Sequence, residues 1–436
     1  MKKKLLTLLI GVSLILALVA VPLMTACAPS APEAPGVPET PGTPEAPKEP
    51  KTVKLGFLAP LTGDVAGWGL PGLYGCEIWA DEVNEAGGLQ IGDDRYLVEI
   101  AAYDDEYSAT IAVTGAKKLV LEDEVVLVVQ LCEPTTTAAA PIFTEYKIIS
   151  TTMVASDTHP DYPYLIWPIE ISPLTGLAYV SQIAKANPEA KTVAMCDPAG
   201  DPMVLMHNAF ALAAFETAGI EVVYNKLYDG AAIDVAPVMT AMLATNPDII
   251  CWEASYPYHT HLLIEQAQIQ GFEGPMAGCT LDMYSELVER VGKEYMEGAT
   301  FCYPDHDDPM LTPEQNAFYA KYNELYPGTW SGVSWEYVDN MKFWAKYAQK
   351  TGSVDPMTVL SAMKADPNPT NSFGSAKWVG KELWGIDNSL MGAWPVVEIQ
   401  NGKAVIVEMV DLAELYYDNV DRVTKYLEEY DLMWYP

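Results

Sequence analysis

The stretch Val53–Gly69, VKLGFLAPLTGDVAGWG, narrows the possible folds more than any other part of the chain. VKLGFLAP is an apolar run of strand length, and LTGDVAGWG is a glycine- and threonine-rich turn. Leu73–Val83 then carries a helical pattern that stops at Glu85-Ala86-Gly87-Gly88. Strand, glycine-rich turn and helix make the first half of a βαβ unit. Such a unit implies a parallel sheet covered by helices. It also sets Thr62, Asp64 and Trp68 at the carboxyl end of the first strand, where open α/β sheets bind ligands.

The alternation continues. Strands are predicted at Tyr96–Tyr103, Val125–Leu131 and Ile148–Thr152, and Tyr164–Ile169 reads as a link to a second block. That block has strands Thr192–Cys196, Glu221–Leu227, Asp248–Glu253 and Met276–Gly278. Its helices are Val204–Ala218, Val235–Thr245, His261–Gln270 and Met283–Val291. Short apolar strands alternating with such helices mean parallel sheets covered on both faces, an α/β class. Ala299–Tyr303 leads through the acidic loop Pro304–Pro309 to helical stretches at Pro313–Tyr326, Ser334–Gln349 and Pro356–Ala365. A β-rich segment, Ala393–Val407, turns at Asn401-Gly402, and an amphipathic helix follows at Leu412–Tyr430. A chain of 436 residues is expected to hold two domains of roughly 150–200 residues each.

The first 26 residues read as an export signal: Lys2-Lys3-Lys4, the apolar run Leu5–Val21, then Met24-Thr25-Ala26 before Cys27. A Cys after Thr-Ala resembles a bacterial lipobox, with Met24 where Leu is usual. Cleavage would leave Cys27 as the lipid-bearing residue. Residues 28–51 hold prolines at 29, 32, 35, 38, 41, 44, 47 and 50. A period of three places them on one stripe of a polyproline II spacer, roughly 70 Å long when extended at ~3.1 Å per residue. The chain has 25 basic and 59 acidic residues, which argues against nucleic acid as a partner. Beyond the signal no run is long and apolar enough to span a membrane. The cysteines after Cys27 are scattered, with no CxxC, and read as buried thiols rather than a disulfide or metal framework. His259-Thr260-His261 does not put two ligands on one helix face. No GxSxG, HExxH or P-loop is present. No catalytic residues, metal or cofactor are expected.

Four segments in order carry a family resemblance. They are VKLGFLAPLTGDVAGWG, then GCEIWADEVNEAGGLQIGDDRYLVEIAAYDDEYSATIAVTGAKKLV, then ATNPDIICWEASYP, then YMEGATF. They resemble the periplasmic solute-binding proteins of branched-chain amino acid importers, over about Val53 to Val407. The resemblance implies a type I periplasmic binding protein: two Rossmann-like lobes with parallel central sheets, three crossovers, and a ligand cleft between the lobes. The domains implied are the signal (1–26) and the lipidated Cys27 with its tether (27–52). Lobe 1 is 53–165 with 306–378, lobe 2 is 169–300 with 385–410, and 411–436 is a helical extension. The partners implied are a small solute and an ABC permease in the membrane, the chain itself being an extracytoplasmic, lipid-anchored monomer.

The family's contacts carry over by position. Its aromatic lid falls at Trp68, where an indole at a strand's carboxyl end can cover an apolar or cationic ligand. Its hydroxyl contact after the third strand falls at Glu133, and contacts after the fourth near Thr152 and Val154. A lobe-2 aromatic falls at Ser255 or Tyr256, and the acid that takes an amino group falls near Thr280, with Asp282 two further on. Asp201, in Asp197-Pro198-Ala199-Gly200-Asp201, and Trp335 on the return of lobe 1 complete the candidate ligand set. A ligand carboxylate within ~4 Å of Glu133 would cost roughly 4 kcal/mol at an effective dielectric of about 20, near a thousandfold in affinity. The set therefore suits a neutral, cationic or hydroxyl-rich solute better than a standard branched-chain amino acid. A sensory binding module with the same cleft, and an α/β hydrolase, are the competing functions.

Overall fold

The computed structural model describes residues 49–433, except 64, 155–156, 170–171, 201, 280, 282–283 and 304–307. The first block runs β1 (Lys51–Ala59), α1 (Ala66–Glu85), β2 (Leu89–Ile91), β3 (Asp94–Asp104), α2 (Ala109–Leu121), β4 (Leu127–Gln130), α3 (Thr135–Tyr146), β5 (Ile149–Thr151) and β6 (Leu165–Ile166). The second runs α4 (Thr175–Ala186), β7 (Thr192–Pro198), α5 (Pro202–Ala218), β8 (Glu221–Tyr228), α6 (Ala236–Leu243), β9 (Ile249–Trp252), α7 (Pro257–Ile269), β10 (Met276–Gly278), α8 (Tyr284–Val291), α9 (Lys293–Met296) and β11 (Thr300–Phe301). The chain then forms α10 (Pro313–Leu325), α11 (Val333–Thr351), α12 (Pro356–Ala365), β12 (Thr370–Asn371), β13 (Gly374–Val379), α13 (Lys381–Trp384), β14 (Ser389–Gln400), β15 (Lys403–Asp411) and α14 (Leu412–Glu429).

Among the described residues these strands form two sheets. One has the order β2-β3-β1-β4-β5-β6; the other has β12-β13-β14-β11-β10-β9-β7-β8, with β15 on β14. The centres are parallel: β3-β1-β4-β5-β6 in the first and β8-β7-β9-β10-β11 in the second. The sheets are mixed rather than wholly parallel, because β2 pairs antiparallel with β3, and β14 pairs antiparallel with β11, β13 and β15. The short central strands are apolar and buried, as in LVVQ of β4 and IICW of β9, since helices cover both faces. In each sheet the strand order reverses at the first strand of the block. β1 lies between β3 and β4, and β7 between β8 and β9. Loops leaving these strands diverge to opposite faces and open a crevice at their carboxyl ends.

Two packing features hold the crevice walls. Helix α1 carries Gly69, Gly72 and Gly75 three apart. A Cβ on Gly72 would meet the Tyr337 ring at 2.1 Å, and one on Gly75 would meet the Ser334 carbonyl at 2.9 Å. The stripe lets α11 lie directly on α1. The connecting segments are stitched to each other. Trp167 donates its backbone N–H to the Asn388 carbonyl at 2.9 Å, and Leu390 donates to the Trp167 carbonyl at 2.8 Å. The Asn388 side chain donates to the carbonyls of Leu165 at 2.8 Å and Pro163 at 3.3 Å. β14 starts in the core of the first block through Leu390 and continues into that of the second through Val396, Val397 and Ile399.

The last helix, α14, packs on α5. Asp411 caps it by accepting from the N–H groups of Ala413 and Glu414. Beyond its end the Tyr430 hydroxyl donates to Asn208 Oδ1 at 2.9 Å. No helix among the described residues is long and apolar enough to cross a membrane.

Candidate functional site

A cavity of ≈ 60 Å³ lies where the carboxyl ends of the two sheets face each other. This is well above the ~10–15 Å³ that one water needs. One wall is Trp68 after β1, Leu131 and Cys132 after β4, Met153 and Val154 after β5, and Val333 at the start of α11. The facing wall is Met203 and His207 on α5, Ala254 after β9 and Cys279 after β10, with Ser172 and Tyr303 on the connecting segments. The lining is mostly apolar. Among the described residues no lysine, arginine, aspartate or glutamate lines it.

Local hydrogen bonds shape each loop. Asp104, at the end of β3, accepts from the Leu61 N–H at 2.9 Å and the Thr62 hydroxyl at 2.6 Å. This holds the turn from which α1 starts and presents Trp68. Buried Thr152 donates to Asp157 at 2.5 Å and accepts from the Val154 N–H at 3.1 Å. The Met153 N–H donates to the Leu131 carbonyl at 2.7 Å, which draws the β4 and β5 loops together.

Behind the opposite wall lies a buried polar pair. His207 is 2 % exposed and Glu253 fully buried. Their Nδ1 and Oε1 are 3.2 Å apart, and the Thr175 hydroxyl donates to the same Oε1 at 2.7 Å. His207 Nε2 and Glu253 Oε2 are buried with no hydrogen-bond partner. Burial holds the His207 imidazole down to about 3 and pushes the Glu253 carboxyl well above its ordinary value. The His207 imidazole is therefore neutral near pH 7. Next to them Asp197 accepts from Asn208 Nδ2 at 3.0 Å and from the Ala254 N–H at 2.9 Å. Burial pushes Asp197 up to about 7.

The candidate residues fall in different places. Trp68 lines the cavity. Thr152 lies behind the lining and shapes the loop rather than facing inward. Glu133 is outside the lining, and its Oε1 accepts from Thr137 in the first turn of α3 at 3.4 Å. The repulsion argued from Glu133 therefore does not apply to this cavity; its apolar lining decides instead. Tyr256 precedes α7 and stacks on Tyr258 and His259, with centroids 6.2 and 6.1 Å apart. Trp335 packs edge-on to Phe318 at 5.1 Å and parallel to Tyr319 at 6.2 Å. Two residues of helical register turn it away from the cavity that Val333 meets. Asp201, Asp282 and Cys27 lie outside the described residues.

His207, Met203 and Cys279 are among the lining residues that sequence reasoning missed. One signal was present: His207-Asn208 is the only strongly polar pair inside MVLMHNAFALAAF, an otherwise apolar helix. A helix apolar all round is buried, so a polar pair in it needs buried partners.

Comparisons with known proteins agree with this architecture. The family model described as periplasmic binding protein matches residues 52–404. A leucine-, isoleucine-, valine-, threonine- and alanine-binding protein of Pseudomonas aeruginosa is 24% identical over 333 residues, covering 74% of this chain and 85% of that one. The crystal structure of a leucine-binding protein from Thermotoga maritima superposes with a TM-score of 0.68 at 20% identity, over 83% of this chain and 99% of that one. A solute-binding protein of an ABC transporter from R. palustris, in complex with 4-hydroxybenzoate, gives 0.67 at 20%, over 83% and 97%.

Proposed function

Because the chain belongs to the periplasmic binding protein family, we propose that it is an extracytoplasmic, lipid-anchored monomer that captures a small molecule between two lobes and delivers it to an ABC importer. Lobe 1 is taken as 53–165 with 306–378, and lobe 2 as 169–300 with 385–410; 411–436 extends lobe 2. One observation carries the reading. The cavity is built from loops at the carboxyl ends of both sheets, so a solute there touches both walls at once. A ligand held by both walls favours the closed arrangement over the open one, and that difference is what a permease can recognise.

The ligand site is assigned to Trp68 and the facing residues of α5, and the candidates Tyr256, Asp201 and Asp282 are carried with it from the sequence. Mass spectrometry of the small molecule retained through native purification tests capture. Added back to emptied protein, that molecule is expected to compact the body in X-ray scattering; tight binding with no change in shape removes the closing mechanism. Anchoring is tested by metabolic labelling with palmitate, where Cys27→Ser is expected to abolish incorporation. Delivery is tested by uptake of the identified solute, which deletion of this chain is expected to stop.

A further inference from the structure

We infer that the C-terminal extension sets one wall of the cavity: Tyr430 is a positioning residue that holds the Ala254 loop through Asn208 and Asp197. The inference rests on the solute-capture reading and adds control of that same site by a segment beyond the family match, which ends at residue 404.

Three observations lead to it. The first is an unbroken line of hydrogen bonds. The Tyr430 hydroxyl, just past the end of α14, donates to Asn208 Oδ1 on α5 at 2.9 Å. Asn208 Nδ2 donates to Asp197 Oδ2 near the end of β7 at 3.0 Å, and Asp197 Oδ1 accepts the Ala254 N–H at 2.9 Å. Ala254 lines the cavity, as does His207, the residue before Asn208 on α5. The second observation is that the Asn208 amide is filled. Its Oδ1 also accepts from Asn225 Nδ2 at 2.9 Å, and its Nδ2 also donates to Asn225 Oδ1 at 3.0 Å. A primary amide has two donors and two lone pairs, so each is engaged here. Asn208 and Asp197 are both buried, and a satisfied buried network rigidifies the groups in it. The third is how α14 is fastened to α5. The Thr217 hydroxyl and Asn419 Oδ1 are 2.6 Å apart, and Glu216 Oε2 accepts the Tyr426 hydroxyl at 2.7 Å. These contacts hold the far end of α5, whereas Tyr430 reaches the stretch next to the cavity. Without its hydroxyl one Oδ1 lone pair of Asn208 loses its partner, and the amide is less firmly held against Asp197.

Amide hydrogen exchange, read by NMR on the purified chain labelled at alanine, tests this with Tyr430→Phe against Tyr426→Phe. Each variant removes one tyrosine hydroxyl that bonds to α5, and Tyr430 is the one whose partner bonds Asp197. Tyr430→Phe is expected to speed exchange of the Ala254 N–H roughly fivefold, with Tyr426→Phe leaving it unchanged. Urea midpoints check that both variants fold. The small molecule retained through native purification, counted per protein by mass spectrometry, is expected to fall about twofold or more in Tyr430→Phe and to stay at the wild-type level in Tyr426→Phe. Unchanged Ala254 exchange in Tyr430→Phe, an equal change in both variants, or faster exchange with undiminished retention overturns the inference and leaves solute capture standing. A wild-type chain that retains no small molecule counts against solute capture, and the exchange comparison then decides the inference by itself.

Discussion

Gly72 has no room for a methyl group. A Cβ there would sit 2.1 Å from the ring of Tyr337, which is fully buried on α11. Gly72→Ala must push that ring off its rotamer or part the two helices. It is expected to destabilise the chain by about 1–3 kcal/mol, read as a lower urea midpoint. Gly67 on the same helix has nothing within 4 Å of its added Cβ. Gly67→Ala should leave the midpoint unchanged or raised by a few tenths of a kcal/mol. Trp68 stands beside it, and its place was legible because a glycine-rich turn after the first strand fixes which residues reach the sheet end. His207 was not legible as a contact. In a helix apolar on every side, periodicity cannot separate the face toward a cavity from the face toward a core.

At the scale of elements, the connecting segments are held to each other by the backbone bonds of Trp167 with Asn388 and Leu390. Asn388 joins its side chain to two carbonyls of the other segment, Leu165 and Pro163. Asn388→Ala leaves both without that donor and is expected to cost about 1–3 kcal/mol in thermal unfolding. It should also widen the ligand-free distribution seen by scattering, since these bonds couple two of the connections between the walls. The βα alternation of both blocks was readable, and β1, β4, β9 and β10 lie where apolar runs predicted them. Other elements were not. α4, spanning Thr175–Ala186, is not among the elements predicted from the sequence, and it supplies Thr175 to Glu253. β13, GSAKWV, has no strand signature of its own and is a strand because β14 pairs with it. β14 itself begins at Ser389, before the apolar run that marks it. Local sequence shows where apolar runs lie, whereas antiparallel additions depend on a partner far along the chain.

For the whole molecule, buried acids set the response to pH. Burial pushes Asp197 and Asp339 up to about 7 and Asp105 up to about 6, and Glu253 is raised as well. Each holds in the folded chain a proton that the unfolded chain releases above about pH 4. Their contribution is complete below that value and is lost as pH rises through 6 to 7. His207 has the opposite sign. Held down to about 3, it opposes the folded state as pH falls below about 6.5. The raised acids outweigh the lowered imidazoles of His207 and His261, the latter also held down by burial, so the unfolding temperature is expected to be higher at pH 5.5 than at pH 8. Asp339→Asn, which keeps an oxygen for the Ser372 hydroxyl, should flatten that slope. The strand β14 has a mechanical consequence. It is one twelve-residue strand anchored in both cores, and a β ribbon twists more readily than it stretches or shears. Relative motion of the walls should therefore be torsional. Fluorophore pairs placed on either side of that strand would report rotation about its axis with little change in separation along it.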